Sequence, residues 1–320
     1  MLSLIQSENE RTGALSRLLD GIMVTQPGLF RLFESPSSHS LYRIGIPEDR
    51  VVVIVSGGGG CGPMFHGFVG TGLADAACSG DFDCAPSAYT LYEIAKLLHK
   101  NKGVLFIANN YTGDFLNNDM AQELLRTEGI DSRVCFVNDD IFSALGEPVE
   151  NRVGMCGIGI ITKIACAAAD TKMDLDSLYC IVRKAADRLR SVTVHYKEGN
   201  SIEFGAGFSG EEAKMVMPYT GIDNLTRQIR DIVMKELVAY SSKEVFFIVN
   251  RMQLLTYLDG FIITESLKRM FNEDGYKVTG CTVGEYFAVF MGPGCMVSVL
   301  AMDDELAKYM PIAKGYDFTI

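Results

Sequence analysis

The sequence predicts an α/β fold: a mostly parallel sheet covered by helices, followed by a second α/β domain. Two observations carry that prediction. Val51 to Ser56 is an unbroken, largely β-branched run that ends in four glycines, as a fully buried parallel strand does when it feeds a tight turn. Through the first half of the chain, strand-like segments then alternate with helix-like ones, which implies right-handed crossovers within one sheet. The texture changes near residue 190, so residues 1–190 are expected to form a first domain carrying the glycine-rich loop, and residues 191–320 a second.

In order along the chain, a helix is expected directly after the glycines. Ser87 is placed to cap a helix through about Lys100, Gly103 to Ala108 reads as a strand, Asn118 to Thr127 as a helix closed by Gly129, and Arg133 to Val137 as a third strand. Helical patterns follow at 157–169 and 175–189. Val192 to Tyr196 and Ser201 to Phe208 alternate around Lys197-Glu198-Gly199-Asn200, a hairpin signature. Beyond it, 224–240 and 255–271 read as helices, and 244–249, 276–283 and 295–301 as strands.

With 48% hydrophobic and 22% charged residues, the chain can bury a full core. No apolar stretch reaches the ~20 residues of a membrane span, and the first residues turn polar before a signal-peptide core forms, so cytoplasmic residence is expected. Nine scattered cysteines without a C-x-x-C pair read as reduced thiols, not a zinc site or disulfide framework. A formal charge of −11 with no Lys/Arg cluster opposes direct binding to nucleic acid.

Three polar strand endings, 56–62, 109–114 and 138–140, are the expected walls of one site, since ligands of such sheets collect beyond the carboxyl ends of the strands. In the first, Gly57, Gly59 and Gly62 fit G-x-G-x-x-G, but Asp81 and Asp83 fall in an apparent loop instead of at the end of a following strand, and Pro63 stands where a P-loop needs lysine. No nucleotide or other cofactor is expected. Gly58, Gly59 and Gly60 allow a small polar ligand to approach the backbone, or they form only a tight turn. Cys61 reads either as a thiol activated at a helix N-terminus or as inert packing. Asn109 and Asp114 can bind the hydroxyls of a polyol or cap the next helix, and Asp114 is the best general-base candidate. The four histidines show no metal spacing, and His66 reads as a hydrogen-bonded, partly buried residue.

Taken together, VSGGGG with HGFVGTGLADAACSG, GVLFIANNYTGDFLN, FVNDD, IGIITKIACAAA and VGEYFAVFMGPG resemble, in order and over nearly the whole chain, the substrate-binding subunit of dihydroxyacetone kinases. The resemblance implies a two-domain α/β homodimer that binds short-chain ketoses and receives phosphate from a separate ADP-carrying subunit. It also implies two histidines this chain lacks. Family members place one in a G-I-G-I-H-G-E segment, where its imidazole adds to the ketone carbonyl; the matching stretch here is Glu203 to Glu211, with Ser209 at the histidine position. The family loop G-G-G-S-G-H-E-P supplies a second, whereas this chain has Gly57-Gly58-Gly59-Gly60-Cys61-Gly62-Pro63. A family lysine is replaced by Asn109, while the carboxylate persists as Asp114. The expectation is a catalytically impaired paralogue holding a small ketose or polyol at Gly58, Gly59, Gly60, Cys61, Asn109, Asp114 and Ser209, or binding a protein partner such as the TetR-type regulators that some paralogues coactivate. The alternative is a working ketose kinase subunit that binds its substrate non-covalently, with Cys61 as carbonyl nucleophile in one variant.

Overall fold

The computed structural model describes residues 13–35, 38–207, 212–288 and 292–310. The chain divides into two compact units. The first is built from residues up to Val137 together with Ile158–Lys184, and the second from Asn138–Gly157 together with Ala185–Lys308.

The first unit opens with α1 (Ala14–Thr25), β1 (Phe30–Ser35) and β2 (Ser38–Arg43), continues through β3 (Val52–Gly59), β4 (Ala76–Phe82), α2 (Ala88–Leu98), β5 (Val104–Asn109), α3 (Thr112–Thr127) and β6 (Ser132–Val137), and adds α4 (Ile158–Ala169) and α5 (Leu175–Asp187). Its six strands lie in the order β1-β2-β4-β3-β5-β6. Strands β4, β3, β5 and β6 run parallel, and β1 and β2 pair antiparallel at one edge. Val52 through Val55 are fully buried, so both faces of β3 are covered, as an all-apolar run requires. Ser87 caps α2 by accepting the Thr90 amide at 3.2 Å.

Two sequence expectations fail here: the helix after the glycines, and the loop at Asp81, which instead lies near the carboxyl end of β4. No α-helix follows the glycines: the chain makes a 3-10 turn at His66–Phe68 and enters β4 directly. That strand, parallel to β3, consists of small and polar residues (AACSGDF) and so lacks the β-branched signal by which strands are recognised.

In the second unit, β7 (Leu189–Lys197) and β8 (Ser201–Phe204) form the expected hairpin, followed by β9 (Met215–Pro218), α6 (Ile222–Leu237), β10 (Glu244–Met252), α7 (Tyr257–Glu273), β11 (Lys277–Gly284) and β12 (Gly294–Met302). The sheet order is β11-β10-β12-β7-β8-β9, antiparallel except where β10 meets β11. Helices α6 and α7 bury Ile229, Val233, Ile263 and Leu267 against Val192, Val194, Phe247 and Val297. Residues 138–157, read from the sequence as part of the first domain, pack with this unit. Asp139, fully buried, accepts the Met155 amide at 2.7 Å and the Ser191 hydroxyl, while Arg152 and Arg190 both donate to Glu236.

Candidate functional site

The carboxyl ends of β4, β3 and β5 lie side by side, α3 follows β5, and several buried polar groups fall there. Register places Ser56 beside Ala108 and Gly57 beside Ser79, so the glycine loop lies between the two neighbouring strand ends. Asn109 closes β5, Tyr111 precedes α3, and Asp114 falls in that helix's first turn. The helix starts six residues before the Asn118 expected from the sequence, because Thr112, Gly113 and Asp114 carry the composition of a loop.

Among the described residues, Ser56 Oγ, Ser79 Oγ, both amide atoms of Asn109, Asp114 Oδ1 and Asn118 Oδ1 are buried without a hydrogen-bond partner from the protein. Native proteins leave few such atoms. Ser79 and Asn109 share the sheet face opposite to that of Ser56, and unpaired donors and acceptors of this kind near the strand ends suit a small polyhydroxy ligand or ordered solvent. Asn109 and Asp114 were legible in the sequence; Ser56, Ser79 and Asn118 were not. A serine in an apolar strand and an asparagine in a helix carry no signal until strand pairing and helix packing show that they are buried.

Asp114 is 5% exposed, and burial pushes its carboxyl up to about 7. Its position in the first turn of α3 favours the anion and opposes that rise. A carboxyl that titrates near neutrality, with one oxygen uncommitted, can accept a proton from a substrate hydroxyl and return it. The Asn109 side chain can both donate and accept but cannot carry charge.

The glycines are taken up by the protein's own packing. A Cβ on Gly57 would overlap the Phe65 ring, one on Gly59 would lie 2.5 Å from the Gly80 carbonyl, and Gly60 adopts φ +91 against Phe82. Gly58 stands in ordinary contact with the backbone of Asp83 and Cys84. The run is therefore explained by tight strand packing, without requiring a bound group. Cys61, with no helix behind it, is 4% exposed, and burial beside Asp83 pushes its thiol up to about 12. The burial and the raised thiol favour the packing reading of Cys61 over that of a carbonyl nucleophile.

His66 is buried and donates from Nε2 to the His39 carbonyl at 2.8 Å, with its pKa lowered to about 4 by desolvation, so it is a neutral structural residue. Of the third expected wall, Asp139 and Asp140 serve the second unit: Asp139 as above, and Asp140 by accepting the Phe142 amide at 3.0 Å. Ser209 lies outside the described residues.

Fold and site define a two-unit α/β protein with unpaired buried polar groups near the carboxyl edge of its first sheet. The Dak1 domain matches residues 20–314. The chain is 30% identical over 313 residues to the dihydroxyacetone-binding subunit of PTS-dependent dihydroxyacetone kinase 2 of Listeria innocua, covering 93% of this chain and 94% of that one. It is 28% identical to D-erythrulose kinase of Mycolicibacterium smegmatis, covering 85% of this chain and spanning about half (51%) of the relative. Among solved structures, one described as concerning regulation of the dha operon of Lactococcus lactis superposes with a TM-score of 0.86 at 23% identity over 94% of both chains. A dihydroxyacetone kinase operon co-activator superposes with a TM-score of 0.83 at 22% identity, over 94% of this chain and 96% of that one. The chain belongs to the Dak1 family, the family of dihydroxyacetone kinase substrate-binding subunits.

Proposed function

We propose that this chain binds a small ketose or polyol without a covalent link, or a protein partner, and acts as a regulator with no kinase turnover of the family type. The observation that carries this reading is the loss of imidazole. Ser209 stands at the position of the carbonyl-binding histidine, and the shortened glycine loop offers only Cys61, a thiol pushed up to about 12. One general acid/base contact contributes ~10²–10⁴ in rate, so losing two reduces turnover to a trace. A hydroxyl without an adjacent base is also a poor substitute for imidazole in holding a carbonyl. The test supplies the chain with dihydroxyacetone, an ADP-loaded partner subunit and a phosphodonor. No product is expected, and turnover at rates ordinary for a kinase would overturn the proposal.

A second reading is favoured by Asp114: a working ketose kinase subunit in which this carboxyl, raised to about 7, is the base and hydrogen bonds alone hold the sugar. It requires a product in the same assay and its loss in Asp114→Asn. The partner is an ADP-carrying subunit on this reading, and a transcriptional regulator of TetR type or another protein on the first. A homodimer belongs to both.

A further inference from the structure

The second unit contains an apolar groove that shares no residue with the candidate site of the first. Its volume is about 380 Å³. Val194 and Ile202, from β7 and β8, form its floor. Ile222 and Leu225 of α6 make one wall; Leu255, just before α7, and Ile263 within it make the other. At the mouth, Leu254 lines the groove while 67% exposed, and Leu258 and Phe261, on the outer side of α7, are 69% and 60% exposed. An apolar groove with an exposed leucine in its lining is thus open to water.

The charge of the lining selects the ligand. Among the described residues that line the groove, Asp259 alone carries charge, and no lysine or arginine joins it. Its Oδ2 already accepts the Thr256 amide at 2.9 Å and the Thr256 hydroxyl at 2.6 Å as the cap of α7, so the helix N-terminus offsets part of its charge while the carboxylate still disfavours an anion. The remaining polar groups are phenols. Tyr196 donates to Asn200 at 3.1 Å, and Tyr219 stands edge-on to it with ring centroids 5.5 Å apart. A carboxylate or phosphate would meet Asp259 with no lysine or arginine in the lining to neutralise it, whereas a neutral hydroxyl can hydrogen-bond a phenol.

We propose that this groove is a second ligand site, taking an uncharged molecule with an apolar chain and a hydroxyl end. At ~30 Å³ per water-sized atom, the volume admits roughly a dozen heavy atoms. The site is independent of the reading of the glycine loop.

The test uses the full chain with labelled isoleucine δ1 methyls, titrated with 1-alkanols from hexanol to tetradecanol and with the matching carboxylates. Saturable shifts are expected at Ile202, Ile222 and Ile263. Affinity should rise by about fourfold per added methylene, then level off once the chain exceeds roughly a dozen heavy atoms. The matching carboxylate should bind at least tenfold more weakly. Leu254→Glu, at an exposed position that leaves the core intact, should weaken alkanol binding by an order of magnitude with the circular dichroism spectrum unchanged. The proposal is overturned if no alkanol gives saturable shifts below its solubility limit, if carboxylates bind as tightly as alkanols, or if only a protein partner perturbs these methyls.

Discussion

Asp114 is subject to two opposing influences. Desolvation raises its carboxyl to about 7, while the amides of the α3 N-terminus favour its charged form. A folded-state value above the unfolded one means that the folded protein holds the proton over a range where the unfolded chain has released it. Stability is then full below about pH 4 and is lost as pH rises through about 7. Asp114→Asn removes that penalty: unfolding free energies from denaturant titration should match wild type near pH 4 and exceed it at pH 8 by an amount on the order of 2–4 kcal/mol. Equal free energies at pH 8 would mean that the carboxyl ionises unhindered. Cys61 gives a complementary check. Because its thiol is buried and pushed up to about 12, Cys61→Ala should leave ligand affinity unchanged, and Cys61 should resist alkylation at pH 8 in the native protein. Rapid labelling at this position, read by peptide mass spectrometry, would restore the nucleophile reading.

At the scale of elements, the glycine loop and the caps bear on stability directly. Ser87→Ala removes the acceptor of the Thr90 amide and should cost about 1 kcal/mol. Gly59→Ala places a methyl 2.5 Å from the Gly80 carbonyl, a backbone atom that cannot swing aside as a side chain can, and should cost more than Ser87→Ala in the same denaturation measurement. Strands β3, β5 and β6, helix α2 and the β7–β8 hairpin were legible in the sequence, because β-branched runs, a serine cap and a turn tetrapeptide are local signals. Strand β4 and the start of α3 were not. Ala76 to Phe82 has strand geometry only because β3 and β2 lie on either side to pair with it, and Thr112 to Asp114 is helical despite a glycine at its second position. The candidate site followed the same division: Asn109 and Asp114 announced themselves at a strand end, while Ser56, Ser79 and Asn118 became candidates only through the pairing of distant strands and the packing of α3.

At the scale of the molecule, the chain leaves the first unit after Val137, contributes 138–157 to the second, returns for Ile158–Lys184, and crosses again. No local pattern reveals this, since 138–157 holds no long helix or strand and is fixed by tertiary hydrogen bonds. Asp139 is the centre of those bonds. Burial raises its pKa, whereas the Ser191 hydroxyl and the amides of Met155 and Gly157 favour the anion. Ser191 also lies 2.6 Å from Ser298 on β12, so the crossing segment is tied to the sheet through one carboxylate. Asp139→Ala strands several buried donors and should destabilise the protein by roughly 3–5 kcal/mol. Asp139→Asn keeps one acceptor and should lose less. Hydrogen exchange locates the damage: protection should fall first at Met155, Gly157 and the amides of β7, within the second unit, while β3 and β5 keep theirs until global unfolding. If β3 and β5 lost protection in step with β7, Asp139 would be supporting the whole molecule and not the unit into which its hydrogen bonds tie the crossing segment.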